Sequence, residues 1–151
     1  MRHQRILWKI LTFICMEKGS TFVDADAIIA LNAPNHSLFE RAVKISGNIA
    51  KENRQIFTCT YTILEATTVA NMHIKQGLGP FIAKSILNSP QITVISGDKF
   101  LKKGIEKMEG IKSKNVSLND CVYFAIAESF GIKEIFSFDA HWTKNGFKLL
   151  S

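Results

Sequence analysis

At 151 residues and 46% hydrophobic content, the chain is long enough to bury one core and too short for two comfortable domains. Eleven Phe, a charged fraction of 21% and the lack of any long low-complexity tract exclude the disordered and fibrous classes. A formal net charge of +6 favours polyanionic partners, nucleic acid or an anionic membrane surface, and also serves solubility.

Residues 1–19 read as a hydrophobic extension ahead of a folded domain that takes residues 20–151. Arg2 and Arg5 precede an apolar run from Ile6 to Met16, as in a secretory leader, but no small-residue cleavage site follows. The run falls short of the roughly 20 residues that span a bilayer, and Lys9 interrupts it, so stable membrane insertion is not expected. An amphipathic helix and a membrane-surface anchor are two readings of this run; a third, preferred, is translated sequence upstream of a start at Met16.

From Thr21 the punctuation alternates between strand and helix. Thr21–Val23 reads as a short buried strand, Ala27–Leu31 as a helix stopped before Pro34, and His36–Asn53 as a long helix with Leu38, Ala42, Ile45 and Ile49 at helical spacing. Gln55–Thr58 is a second strand and Thr62–Gln76 a helix ended by Gly77. A short helix follows to Asn88, and Gln91–Ile95 is a third strand after Pro90. Lys99–Glu109 is helical, and the six lysines against two glutamates between Lys99 and Lys114 read as a solvated face as readily as a polyanion contact. Ser117–Phe130 is a helix closed by Gly131, Glu134–Phe138 a strand that ends at Asp139, and Phe147–Leu150 an edge strand. Strands that are apolar throughout and alternate with helices predict a three-layer α/β/α sandwich around a central parallel sheet of four to five strands.

Three cysteines, Cys15, Cys59 and Cys121, are odd in number and contain no C-x-x-C pair, which fits core residues in a reducing cytoplasm. The four histidines, His3, His36, His73 and His141, form no H-x-x-x-H pair and give little support to a histidine-built metal site.

The acids are more informative. In parallel α/β folds ligands bind beyond the carboxyl ends of the strands. Asp24 follows the first strand and Asp139 the fourth, so both belong on that edge, and either could be only a cap. Asp26 is expected to cap the helix from Ala27, which leaves Asp24 without a structural task. Glu65 and Asp120 each close a capping-box pattern, Thr62-Ile63-Leu64-Glu65 and Ser117-Leu118-Asn119-Asp120. Each also falls on an apolar helical stripe, Glu65 with Tyr61, Val69 and Met72, and Asp120 with Phe124 and Ala127. Both are therefore expected to face the core. Four inward carboxylates would cost several kcal/mol each unless a cation neutralised them. Oxygen ligands without clustered His or Cys suit Mg2+ or Mn2+.

The segments FVDADAIIALN, TYTILEA, SLNDCVYFAIAESFGI and IFSFDAHW, in that order, resemble the PIN domain, a metal-dependent ribonuclease fold that includes the VapC-type toxins of toxin–antitoxin pairs. The resemblance runs from Thr21 to Leu150. It implies an acidic quartet of Asp24, Glu65, Asp120 and Asp139 that binds one or two Mg2+ or Mn2+ ions and cleaves RNA. Asp26 stands where members often carry Ser, Thr or Asn, and Ser137 fits a position near the last acid where a hydroxyl is common; both are assigned supporting roles. An RNA substrate, an antitoxin protein that inserts a segment into the acidic groove, and a homodimer are the partners the resemblance implies.

Two other functions are weighed. The Asp24-Ala25-Asp26 segment also resembles the D-x-D opening of haloacid-dehalogenase-type phosphatases, but FSFDAHW lacks the adjacent acids that chemistry needs. A PIN-like module that binds RNA or protein without cutting would keep the same fold.

Overall fold

A computed structural model describes residues 19–151. The expectations for the hydrophobic extension and for Cys15 fall on residues 1–18, outside the described residues. Five strands, β1 (Ser20–Val23), β2 (Gln55–Cys59), β3 (Ile92–Ile95), β4 (Glu134–Phe136) and β5 (Lys148–Leu149), form one sheet in the order β3-β2-β1-β4-β5, with every neighbouring pair parallel. The described residues also form seven α-helices: α1 (Ala25–Leu31), α2 (Phe39–Lys51), α3 (Thr60–Val69), α4 (Leu78–Leu87), α5 (Leu101–Gly110), α6 (Leu118–Ser129) and α7 (His141–Lys144). This is the α/β/α sandwich expected from the sequence, with β1 at its centre.

Strand alternation sorts the two helical layers. Phe22 and Ile135, register partners on β1 and β4, join α6 and Trp142 of α7 in one core cluster. Their neighbours Val23 and Phe136 pack with α1 and α2 in another, and Val23 also reaches the cluster of α1, α3 and α4. In α6 every residue from Cys121 to Ala127 is buried, as in a helix covered on all sides. Cys59 and Cys121 are free and buried, as read from the sequence. At the amino ends of the strands Arg54 ties the chain across the sheet, donating to Glu52 at 2.5 Å and to Glu134, which Lys148 also reaches at 2.8 Å.

Several boundaries shift for local reasons. The helix expected from His36 begins at Phe39, because His36 closes a turn in which its Nδ1 accepts the Leu38 N–H at 3.1 Å. The helix expected over Thr62–Gln76 begins at Thr60 and leaves α geometry after Val69, passing into a π turn over Ala70–Ile74 before Gly77 turns the chain at φ 86°. The helix placed at Lys99–Glu109 is preceded by a 3₁₀ turn, Gly97–Phe100. The strand expected to reach Phe138 stops at Phe136, since the Phe138 N–H serves Asp26 rather than a neighbouring strand. Among the described residues no helix is long and apolar enough to cross a membrane.

Helices α5 and α6 approach closely at Gly104. A Cβ there would stand 2.6 Å from Val122 Cγ2, and 3.1 and 3.2 Å from the Val122 N and Cα. The backbone atoms cannot yield as a flexible side chain would. Gly104→Ala is therefore expected to destabilise the domain by about 1–3 kcal/mol, read as a lower urea midpoint at unchanged slope.

Candidate active site

Asp24 sits immediately beyond β1, where its backbone N–H continues the sheet by donating to Phe136 O at 3.0 Å. It is also the N-cap of α1, with extended backbone and Oδ1 accepting the Ala25 N–H at 2.8 Å. This corrects the expectation that Asp26 caps the helix and leaves Asp24 idle. Asp26 lies in the first turn of α1 and reaches across to the end of β4, where Oδ2 accepts the Phe138 N–H at 2.8 Å. The helix starts two residues earlier than expected because Asp24, not Asp26, satisfies its first free N–H.

The other oxygen of Asp24 is held from a distant part of the chain. Trp142 Nε1 donates to Oδ2 at 2.7 Å and Ser137 Oγ at 2.9 Å. Ser137 Oγ also lies 3.1 and 3.2 Å from the two Asp26 oxygens, so its single proton is shared between two aspartates, while it accepts the Asp139 N–H at 3.1 Å. Asp24 is only 8% exposed. Burial, with the charge of Asp26 beside it, pushes its carboxyl up to about 6 against the partial relief given by Trp142, Ala25 and Ser137. Asp26 is likewise raised, chiefly by burial.

Glu65, Asp120 and Asp139 occupy the rim rather than the core. The expected Thr62–Glu65 capping box does not form: α3 starts at Thr60, Thr62 lies inside it, and Glu65 Oε2 instead accepts the Tyr123 hydroxyl at 3.0 Å. Glu65 is on the exposed side of α3 and Asp120 is half-buried, which corrects the expectation that both face the core. The Ser117–Asp120 capping box does form. Asp120 Oδ2 accepts both the N–H and the hydroxyl of Ser117 at 2.7 Å. Asp139 Oδ1 closes a turn by accepting the His141 N–H at 2.8 Å.

These acids share one electrostatic neighbourhood. The Glu65 carboxyl is raised first by burial and then, against the Tyr123 hydrogen bond, by the charges of Asp24, Asp120 and Asp139. The Tyr123 phenol is held far above its ordinary range by burial and the Glu65 charge, so it stays a donor. Among the described residues no three His, Cys, Asp or Glu side chains close on one point tightly enough to hold a metal ion unaided. Asp120, Asp139 and Glu65 each turn one oxygen onto a nearby donor. Each leaves its other oxygen, Oδ1, Oδ2 and Oε1 respectively, without a protein hydrogen bond among the described residues. An all-oxygen set with mutual repulsion and spare acceptors fits a hard cation that retains several waters.

Residues 21–148 match the family profile described as PIN domain. The chain belongs to the PIN domain family. Solved structures similar to it include Mycobacterium tuberculosis VapC20, a sarcin–ricin loop cleaving toxin, at 20% identity and TM-score 0.77 over 85% of this chain and 96% of that one. FitAcB from Neisseria gonorrhoeae is 13% identical at TM-score 0.58, over 87% of this chain and 96% of that one. Comparison with curated proteins returned no significant match.

In this PIN domain, sequence reasoning overlooked Trp142 and Tyr123. Both offered a signal, an aromatic with a polar tip inside a motif otherwise buried. The match to the PIN domain over residues 21–148 displaces the phosphatase reading.

Because the native Asp24 carboxyl titrates above its ordinary value of 3.8, the folded state holds a proton that the unfolded chain releases between about pH 4 and 6. The associated stability is present below the unfolded value and lost as pH rises through about 6. Urea unfolding of metal-free protein is expected to show a loss of about 3 kcal/mol from this group between pH 4 and pH 7. Trp142→Phe, which removes a donor to the carboxylate, should deepen the loss at pH 7 by about 1–3 kcal/mol.

Proposed function

We propose that this PIN domain is a divalent-metal-dependent endoribonuclease and that it serves as the toxin of a toxin–antitoxin pair in the cytoplasm. The observation that carries the reading is the buried Asp24 carboxylate, raised in pKa at the carboxyl edge of the sheet and within charge reach of Glu65, in a protein whose net charge is +6. Such an acidic cleft on a basic body draws in a polyanion and leaves the phosphate among carboxylates, where a cation is needed.

Asp24, Glu65, Asp120 and Asp139 are the residues that would hold Mg2+ or Mn2+, directly or through water. The ion would supply an activated water and a counter-charge for the scissile phosphodiester. The chain's own contributions are positional. Ser137 and Trp142 fix the Asp24 carboxylate, Tyr123 fixes Glu65, and Asp26 holds the β4–α7 turn against α1 by its bond to Phe138. VapC20, similar in fold, is a sarcin–ricin loop cleaving toxin, which supports structured RNA loops as the first substrates to try. An antitoxin could block the cleft by offering Arg to the same carboxylates, and a homodimer is in keeping with the family.

Purified protein is expected to cut RNA with Mg2+ or Mn2+, to lose activity in EDTA, and to lose about 10²-fold or more on Asp24→Asn, read by gel analysis of labelled RNA. Cleavage that survives both EDTA and Asp24→Asn would falsify the assignment. A second reading is a module that binds RNA without cutting, since Glu65, Asp120 and Asp139 each already commit one oxygen to a protein donor. Retention of RNA with no cleavage under either metal would decide for it.

A further inference from the structure

Between α3 and the amino end of α6 lies a hollow of about 420 Å3, walled by Tyr61, Leu64, Glu65, Thr68, Val69 and Asn119. Glu65 makes it continuous with the acidic cleft. Among the described residues its walls carry no lysine, arginine or histidine, and one wall residue is the acid Glu65. They offer instead an aromatic ring, aliphatic surface, a hydroxyl and a primary amide. That combination suits a flat heteroaromatic group with a hydrogen-bonding edge.

The ring is fixed before any ligand arrives. The Tyr61 hydroxyl donates to Asp98, and the ring lies so close to Gly97 that a Cβ there would stand 2.7 Å from Tyr61 Cδ2. Gly97 is itself tied by its N–H to Thr60 Oγ1 at 3.0 Å. Tyr61 and Glu65 are four residues apart on α3 and so share a face. Asn119, exposed beside Asp120, faces the same space from α6.

We propose that this hollow is a nucleobase subsite, in which Tyr61 stacks on an unpaired RNA base next to the phosphodiester held at the acids and Asn119 reads that base's edge. The inference rests on the ribonuclease reading above.

The test is an abasic scan. RNA substrates carrying one abasic ribose at each position around the cut are assayed with native protein, Tyr61→Phe, Tyr61→Ala and Asn119→Ala, taking kcat/KM for each. At one position within about two nucleotides of the cut, loss of the base should lower kcat/KM about tenfold to a hundredfold for the native chain and for Tyr61→Phe, but less than about twofold for Tyr61→Ala. Asn119→Ala should keep that abasic penalty and lose discrimination among the four bases there. Because Asn119 is exposed, this variant carries the test even if Tyr61→Ala fails to fold. An equal abasic penalty in native and Tyr61→Ala protein, or unchanged base preference in Asn119→Ala, overturns the subsite and leaves the nuclease standing. Absence of any cleavage by native protein removes the nuclease reading and this inference with it.

Discussion

Burying a carboxylate at the end of the central strand obliges the chain to bring donors to it, and three separate segments do so. The Ala25 N–H comes from α1, the Ser137 hydroxyl from the end of β4, and the Trp142 indole from α7. The same residue joins β1 to β4 through its backbone. Asp24 is therefore at once a helix cap, a sheet contact and a charge, and removing any of its donors leaves desolvated charge uncompensated. The aromatic packing around it is close: the Trp142 ring that reaches Asp24 lies against Phe22 and Phe124, at centroid distances of 5.6 and 4.9 Å.

The rim acids obey a different economy. Each of Glu65, Asp120 and Asp139 anchors one oxygen on a nearby donor and, among the described residues, leaves the other uncommitted. Anchoring reduces the rotamer freedom that a ligand would otherwise have to restrict, while the spare oxygens keep the cleft negative. Burial first, and repulsion among like charges after it, raise the carboxyls of Asp24, Asp26 and Glu65, a standing cost that any bound cation relieves.

Much of this was legible in the amino-acid order. Apolar strands alternating with helices gave the sandwich, and the rule that parallel α/β folds bind at carboxyl edges placed Asp24 and Asp139 correctly. What misled was one-dimensional reasoning about local roles. Asp26 looked like the cap because it stands next to the apolar run from Ala27, whereas its carboxylate is taken by the Phe138 N–H, 112 residues away. Glu65 looked core-facing because its stripe includes Tyr61 and Val69, yet α3 is apolar enough that several faces would pass that test, and Leu64 beside it is 64% exposed. The Thr62–Glu65 box and the Ser117–Asp120 box have similar sequence patterns. Only the second begins where the backbone is extended; β2 passes at Cys59 straight into α3, so Thr62 is already inside the helix.

The order of the strands bears on the protein's manufacture. Asp24 is made 118 residues before its indole donor, which lies in the short helix that precedes the edge strand. A nascent chain can therefore lay down β1 to β3 and most helices while the acidic hollow still lacks the wall that Ser137 and Trp142 provide. The centre thus stays without that wall until the segments from β1 through α6 have been synthesised, a sequence of assembly set by the separation of Asp24 from its donors along the chain.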